Sequence, residues 1–158
     1  MFGRIETERL LLRLADEGDV ASIARAAETT STARISASIA SQTRWWQEYG
    51  YGLWVLLPRG SEHLVGWCGL KPGADYRHPE IMFGLEVSSR GQGLATEAAR
   101  SVVTYALALP RVMSVWGATA VGNVASAAVM RRIGMSLESE KSLDGVQSFI
   151  FRVKSNGI

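Results

Sequence analysis

The segment "SSRGQGLATEAAR" (Ser88–Arg100) decides how the chain is read. Gly91 and Gly93 stand one residue apart at the mouth of a helix. Beyond them Ala95, Ala98, Ala99, Val102, Val103 and Ala106 recur at helical spacing, which makes one buried stripe. Pro110 ends it. Upstream, "EIMFGLEV" (Glu80–Val87) reads as a strand. A strand that passes through a glycine pair into a helix forms an anion site. The first helical turn leaves its N–H groups unpaired, and the dipole places about half a positive charge there. Glycine lets a phosphate approach the main chain with no Cβ in the way. Arg90 adds a charged donor. The same two glycines also suit a plain tight turn, and a lone Gly-x-Gly does not separate the two readings.

Three kinds of phosphate compete for such a loop. A nucleoside triphosphate loop needs Gly-Lys-Ser/Thr, and this loop has no lysine. A dinucleotide fingerprint needs a third glycine where Thr96 stands, and an acid about 20 residues on for the ribose. "VMSVWGAT" (Val112–Thr119) supplies no acid. The third reading is the diphosphate of coenzyme A.

Working outward, "RLLLRL" (Arg9–Leu14) is a first strand, and Asp16 or Asp19 can cap a short helix carrying Val20, Ile23, Ala24 and Ala27. Residues 28–40 are Ser/Thr-rich and show no period. "SQTRWWQEYG" (Ser41–Gly50) reads as a helix stopped by Gly50. Leu53–Leu57 and Leu64–Leu70 flank "PRGSEH", a hairpin pattern. "RVMSVWGATA" (Arg111–Ala120) is a strand. "NVASAAVMRRIGM" (Asn123–Met135) is a helix with Asn123 as cap and Gly134 as stop, and "VQSFIFRV" (Val146–Val153) is a last strand. The order β-α-α-β-β-β-α-β-α-β predicts an α/β (α+β) domain over 1–158, with a mixed sheet and helices on both faces.

Bulk properties narrow the function. The 158 residues are 47% hydrophobic and 20% charged, ordinary for a globular chain. A net charge of +2, without a basic run, gives no footprint for nucleic acid. No apolar stretch suits a membrane, and the charged N-terminus does not read as a signal peptide. Cys68 stands alone, so the chain has no internal disulfide and a cytoplasmic setting is expected. With two histidines and one cysteine, no metal site is expected.

The chain resembles the GCN5-related N-acetyltransferases (GNAT), in the RimJ/RimL-like branch that acetylates ribosomal-protein N-termini. The family's acetyl-CoA loop, Arg/Gln-x-x-Gly-x-Gly/Ala, is matched by Arg90-Gly91-Gln92-Gly93-Leu94-Ala95. "TERLLLR" (Thr7–Arg13), "YGYGLWVLL…HLVGWCGL" and "NVASAAVMRRIGM" are similar to further segments of the branch, in the same order. Residues 28–44 match poorly. The resemblance implies a single-domain, three-layer fold. Its mostly antiparallel sheet would be splayed between the strand 80–87 and the strand 112–118. The pantetheine arm of acetyl-CoA, the cosubstrate, would lie in that gap against main-chain groups near Leu85 and Val87. An N–H at Leu85 or Glu86 would meet the thioester carbonyl, and Arg90, Gly91, Gln92, Gly93, Leu94, Ala95 and Thr96 would hold the diphosphate. Asn123 and Ser126 would contact the cofactor from the following helix. The resemblance also admits a homodimer.

Acetyl transfer to an amine needs a neutral nitrogen. An α-amine with a pKa near 8 is neutral in roughly a tenth of molecules at pH 7, and a lysine amine near 10.4 far less often. Glu80 matches an acidic residue common at that place in the branch and is the candidate base; a solvated strand-end charge is the plainer reading. Glu86 and His78 are alternatives, and His63 belongs to a hairpin turn. Many relatives protonate the leaving thiolate with a tyrosine seven residues after the asparagine. Here that place is Met130, which leaves Ser126 as the candidate donor. Arg131 and Arg132 can reach a 3′-phosphate or simply end a helix. Cys68 reads as apolar filler, not a nucleophile. Trp45, Trp46, Tyr49, Tyr51 and Trp54 read as core and pocket wall. The expected acceptor is a protein N-terminus or a small amine. The alternative is an acyl-CoA-binding sensor that has lost catalysis.

Overall fold

The strand Leu53–Pro58 (β3) is buried at every position through Leu57, and a strand of that kind needs cover on both faces. Leu53, Val55 and Leu57 pack with Ile23 and Ala26 of α1 (Val20–Ala26) and Ile39 of α2 (Thr32–Tyr49). Trp54 and Leu56 turn to the opposite face. There they join a larger core with Ala98, Ala99, Val102 and Ala106 of α3 (Leu94–Ala108) and Met130 of α4 (Val124–Arg132). The C-terminal half of α2 reaches that second core through Trp46.

The computed structural model describes residues 3–156, so Met1, Phe2, Gly157 and Ile158 of the expected 1–158 domain lie outside the described residues. The described strands are β1 (Ile5–Glu6), β2 (Leu10–Leu14), β3, β4 (Gly66–Lys71), β5 (Glu80–Leu85), β6 (Ser114–Ala120), β7 (Ser136–Leu143) and β8 (Val146–Lys154). They form one sheet in the order β1-β2-β3-β4-β5-β6-β8-β7. Every neighbouring pair is antiparallel except β5 with β6. That parallel pair meets at Glu80 and Trp116. The mixed, mostly antiparallel sheet with helices on both faces is as expected.

The boundaries differ from the sequence reading in instructive places. The strand expected over 80–87 ends at Leu85. The Glu86 N–H still bonds the Val65 carbonyl at 2.8 Å, and Val87–Ser89 then coil into a 3₁₀ turn. The strand expected from Val112 begins at Ser114, because the Val112 N–H closes a turn onto Leu109 at 3.1 Å after α3. Helix α2 extends back to Thr32, through the segment that showed no period. β7 was not anticipated at all.

Candidate active site

Gly91 and Gly93 both have left-handed backbones, with φ of 78° and 81°. An L side chain is strained there, so glycine is favoured at these positions whatever the surrounding space. Gly93 is the N-cap of α3 and supplies no side-chain bond to the first turn. The leading N–H groups of α3 therefore face outward without a side-chain cap. A Cβ on Gly91 would have nothing within 4 Å, whereas one on Gly93 would stand 3.4 Å from Arg9 Nη2. α4 is built differently. Asn123 Oδ1 accepts from the Ser126 N–H at 3.1 Å and caps that helix, as its sequence predicts.

The mouths of α3 and α4 and the end of β5 enclose a cleft of about 670 Å³. It brings together Leu85, Arg90, Gly91, Gly93, Leu94, Ala95, Thr96, Asn123 and Ser126, all expected from sequence. It also takes in Arg132, one of the two arginines weighed for a 3′-phosphate, and Phe83, Gly84, Val124, Ala125, Ala128 and Val129, which were not singled out for the site. Four of these, Ala125, Ala128, Val129 and Arg132, lie at helical spacing on one face of α4; the pattern was legible and reads equally as core. Four expected residues lie outside the lining: Glu80, Glu86, Val87 and Gln92. Val87 sits in the 3₁₀ turn, 56% exposed. Gln92 turns its carbonyl to Arg9 Nη1 at 2.8 Å.

The geometry of β5 explains why this cleft is open. In an antiparallel ladder successive residues turn their N–H and C=O to alternate edges. Glu86 N–H bonds Val65 on the β4 side, and Pro79 C=O accepts from Trp116 N–H on the β6 side at 3.1 Å. Phe83 and Leu85 share the parity of Pro79, so their main-chain groups face β6 where the strands have parted. The Leu85 carbonyl accepts from Arg90 Nε at 3.1 Å. Below, Met130 fills the junction of the strands. A methyl group on Gly117 would come within 3.0 Å of Met130 Cε and 3.1 Å of Ile81 Cγ2. Met130, where the resemblance would place a tyrosine, is 2% exposed.

Glu86 serves the frame. Its N–H is committed to Val65, and its carboxylate accepts from Arg25 Nη1 at 2.5 Å and Ser89 Oγ at 2.8 Å, with His63 Nε2 at 3.0 Å. The Arg25 bond, opposed by burial and supported by Ser89 and His63, holds its pKa at about 2. His63 is thus accounted for as a partner of Glu86. Glu80 lies on the other side of the sheet from α3 and α4, because Ile81 and Leu85 are the residues of β5 that enter the α3/α4 core. Lys71 Nζ stands 3.1 Å from Glu80 Oε1. His78 lies two residues before it, with Nδ1 at 2.6 Å from Ser114 Oγ, which also accepts from Arg152 Nη1 at 2.8 Å. Cys68 is fully buried, and burial pushes its thiol pKa up, away from the thiolate a nucleophile needs. Trp46, Tyr51 and Trp54 are core. Among the described residues no three His, Cys, Asp or Glu side chains are grouped to hold a metal ion, and no helix is long and apolar enough to cross a membrane.

The fold has many solved counterparts. The family profile described as "Acetyltransferase (GNAT) domain" matches residues 9–136. The chain belongs to the GNAT acetyltransferase family. It is 36% identical over 95 residues to the FsC-acetyl coenzyme A-N(2)-transacetylase of Aspergillus fumigatus, a match covering 55% of this chain and 40% of that protein. The chain thus spans less than half of that curated relative. An acetyltransferase from Agrobacterium tumefaciens superposes with a TM-score of 0.82 at 20% identity, over 97% of this chain and 95% of that one. RimL, the ribosomal L7/L12 α-N-protein acetyltransferase, solved with coenzyme A, superposes with a TM-score of 0.80 at 19% identity, over 98% and 99% of the two chains.

Proposed function

We propose that this protein transfers an acetyl group from acetyl-CoA to a primary amine, with both substrates held together and no covalent enzyme intermediate. The observation that carries this reading is the α3 mouth, where two left-handed glycines leave main-chain N–H groups uncapped at the end of the β5–β6 gap. Those N–H groups and Arg90 suit a diphosphate. The open edge at Phe83 and Leu85 suits a peptide-like pantetheine arm, which would satisfy it as an added strand does. Of the two N–H groups expected near the thioester, Leu85 faces the gap and Glu86 is committed to Val65, so the reading narrows to Leu85 and its neighbours on that edge. RimL binds coenzyme A, and the name of the Aspergillus relative specifies acetyl coenzyme A and a nitrogen, which supports the same cosubstrate and an amine acceptor here.

The acceptor approaches Glu80 from the face opposite α3 and α4. An α-amine near pKa 8 needs little help to lose its proton. Glu80, ion-paired with Lys71, holds the amine and accepts its proton directly or through water, with His78 beside it as the alternative. Ser126, on the cleft wall, relays a proton from solvent water to the departing thiolate, accepting one from water as it gives up its own. The acceptor class that fits is a protein N-terminus, as in the RimJ/RimL-like branch, or an uncharged-flank small amine. The lone buried cysteine suits a reducing, cytoplasmic setting. A second reading, an acyl-CoA-binding module, is favoured by Met130 alone, since it removes the phenol that many relatives use. Thiol release from acetyl-CoA, followed across peptide N-termini, lysine peptides and small amines, separates them. We expect turnover with at least one α-amine and its loss in Gly93→Glu. Cofactor binding without thiol release on any acceptor supports the module instead.

A further inference from the structure

The first turn of α3 contains Glu97. A carboxylate suits the dipole at that end of a free helix, but it repels a dianion seated on the same turn. The structure does not leave it free. Glu97 Oε2 accepts from the Thr7 hydroxyl at 2.5 Å and from the Arg9 main-chain N–H at 2.9 Å, while Oε1 accepts from Arg9 Nε at 2.8 Å. The same guanidinium continues through Nη1 to the Gln92 carbonyl at 2.8 Å, and its Nη2 stands beside Gly93. Partial burial disfavours the charged carboxylate, and the bonds from Thr7 and Arg9 outweigh it, so Glu97 stays ionised with a lowered pKa. Arg9 and Glu97 are 88 residues apart in sequence, and Arg9 does not line the cleft.

We propose that Arg9 is a positioning residue for acetyl-CoA, acting through Glu97 and Gln92. It cancels the carboxylate at the mouth of the anion-binding helix and ties the glycine loop to the start of β2. The proposal rests on the reading of the cleft as the acetyl-CoA site. It explains why an otherwise unfavourable acid is tolerated in that turn, since an acid and its clamp come together.

Titration calorimetry with acetyl-CoA, at low and high salt, tests it on the wild type, Arg9→Ala, Glu97→Gln and the double variant. A unit charge near a dianion at a wet surface changes affinity by about three- to tenfold. Arg9→Ala is expected to weaken binding by about that factor at low salt and by less at high salt. Glu97→Gln alone is expected to tighten binding, because Arg9 then acts uncancelled. The double variant is expected to regain most of what Arg9→Ala loses. A merely structural role would show neither the rescue nor the salt dependence. A double variant as weak as Arg9→Ala overturns the proposal, as does a Glu97→Gln protein that binds no more tightly than wild type. Should Arg9→Ala not fold, Glu97→Gln decides alone. A wild type that does not bind acetyl-CoA overturns this inference together with the function it rests on. Wild-type binding with no response to either substitution overturns this inference only.

Discussion

Glu86 shows how a residue beside a site can belong to its scaffold. Sequence placed it next to the gap, as a ligand or a base. The structure gives its N–H to Val65 and its carboxylate to Arg25, Ser89 and His63. Those partners join α1 and the β3–β4 loop to the turn that leads into the glycine loop. A carboxylate whose folded pKa is depressed adds stability that is present above its unfolded value and lost on acidification. Glu86 falls from an ordinary 4.5 to about 2, so the window runs from roughly pH 4.5 down to pH 2. Glu86→Gln is expected to be less stable at neutral pH and to lose less stability across that window than wild type. Urea denaturation at stepped pH measures both, and identical acid profiles for the two proteins would contradict it. Gly93 is the complementary case, where the backbone and not a side chain does the work. Its φ of 81° favours glycine, and glutamate there would bring strain and a charge into the proposed anion seat.

Among the elements, α4 has its cap on Asn123, the residue also proposed to contact the cofactor. Asn123→Ala is expected to cost about 1 kcal/mol of stability through loss of the bond to the Ser126 N–H. It should also weaken acetyl-CoA binding, while Asn123→Asp, which keeps an acceptor at the cap, should restore stability. Thermal melts and binding measured together decide this, and an Ala variant as stable as wild type would contradict it. α3 and its glycine loop were plain in the sequence because one apolar stripe and two glycines carry them. β7 was not, because "SLESEKSL" is exposed along nearly its whole length and so has no buried face to impose an alternation. Its signal lay in the turn that follows. Asp144 and Gly145, at φ of 50° and 80°, make the two-residue link that closes a hairpin onto β8. The first half of α2 was hidden for a similar reason, with Ile35 and Ile39 as its only large apolar contacts to the core. In the site, the loop and α4 were legible as local motifs. The Arg9–Glu97 clamp was not, since nothing local links residues on β2 and α3.

At the scale of the whole molecule, the proposed function rests on one weakly made pairing in the sheet. Among the described residues seven strand pairings are built, and the one that is parallel is barely made, at Glu80 and Trp116. Met130, Gly117 and Ile81 close the bottom of that seam, and the mouths of α3 and α4 flank its open end. The cleft lies on the α3/α4 side, with Glu80 and Lys71 on the opposite face of the sheet. The most direct test is an amide NMR titration with acetyl-CoA. Saturable shifts are expected at Gly91 and Gly93–Thr96 together with Phe83 and Leu85, the loop and the strand edge responding with one affinity. Amides at those positions that stay still while the ligand is present in excess, or shifts confined to another face of the protein, would contradict it.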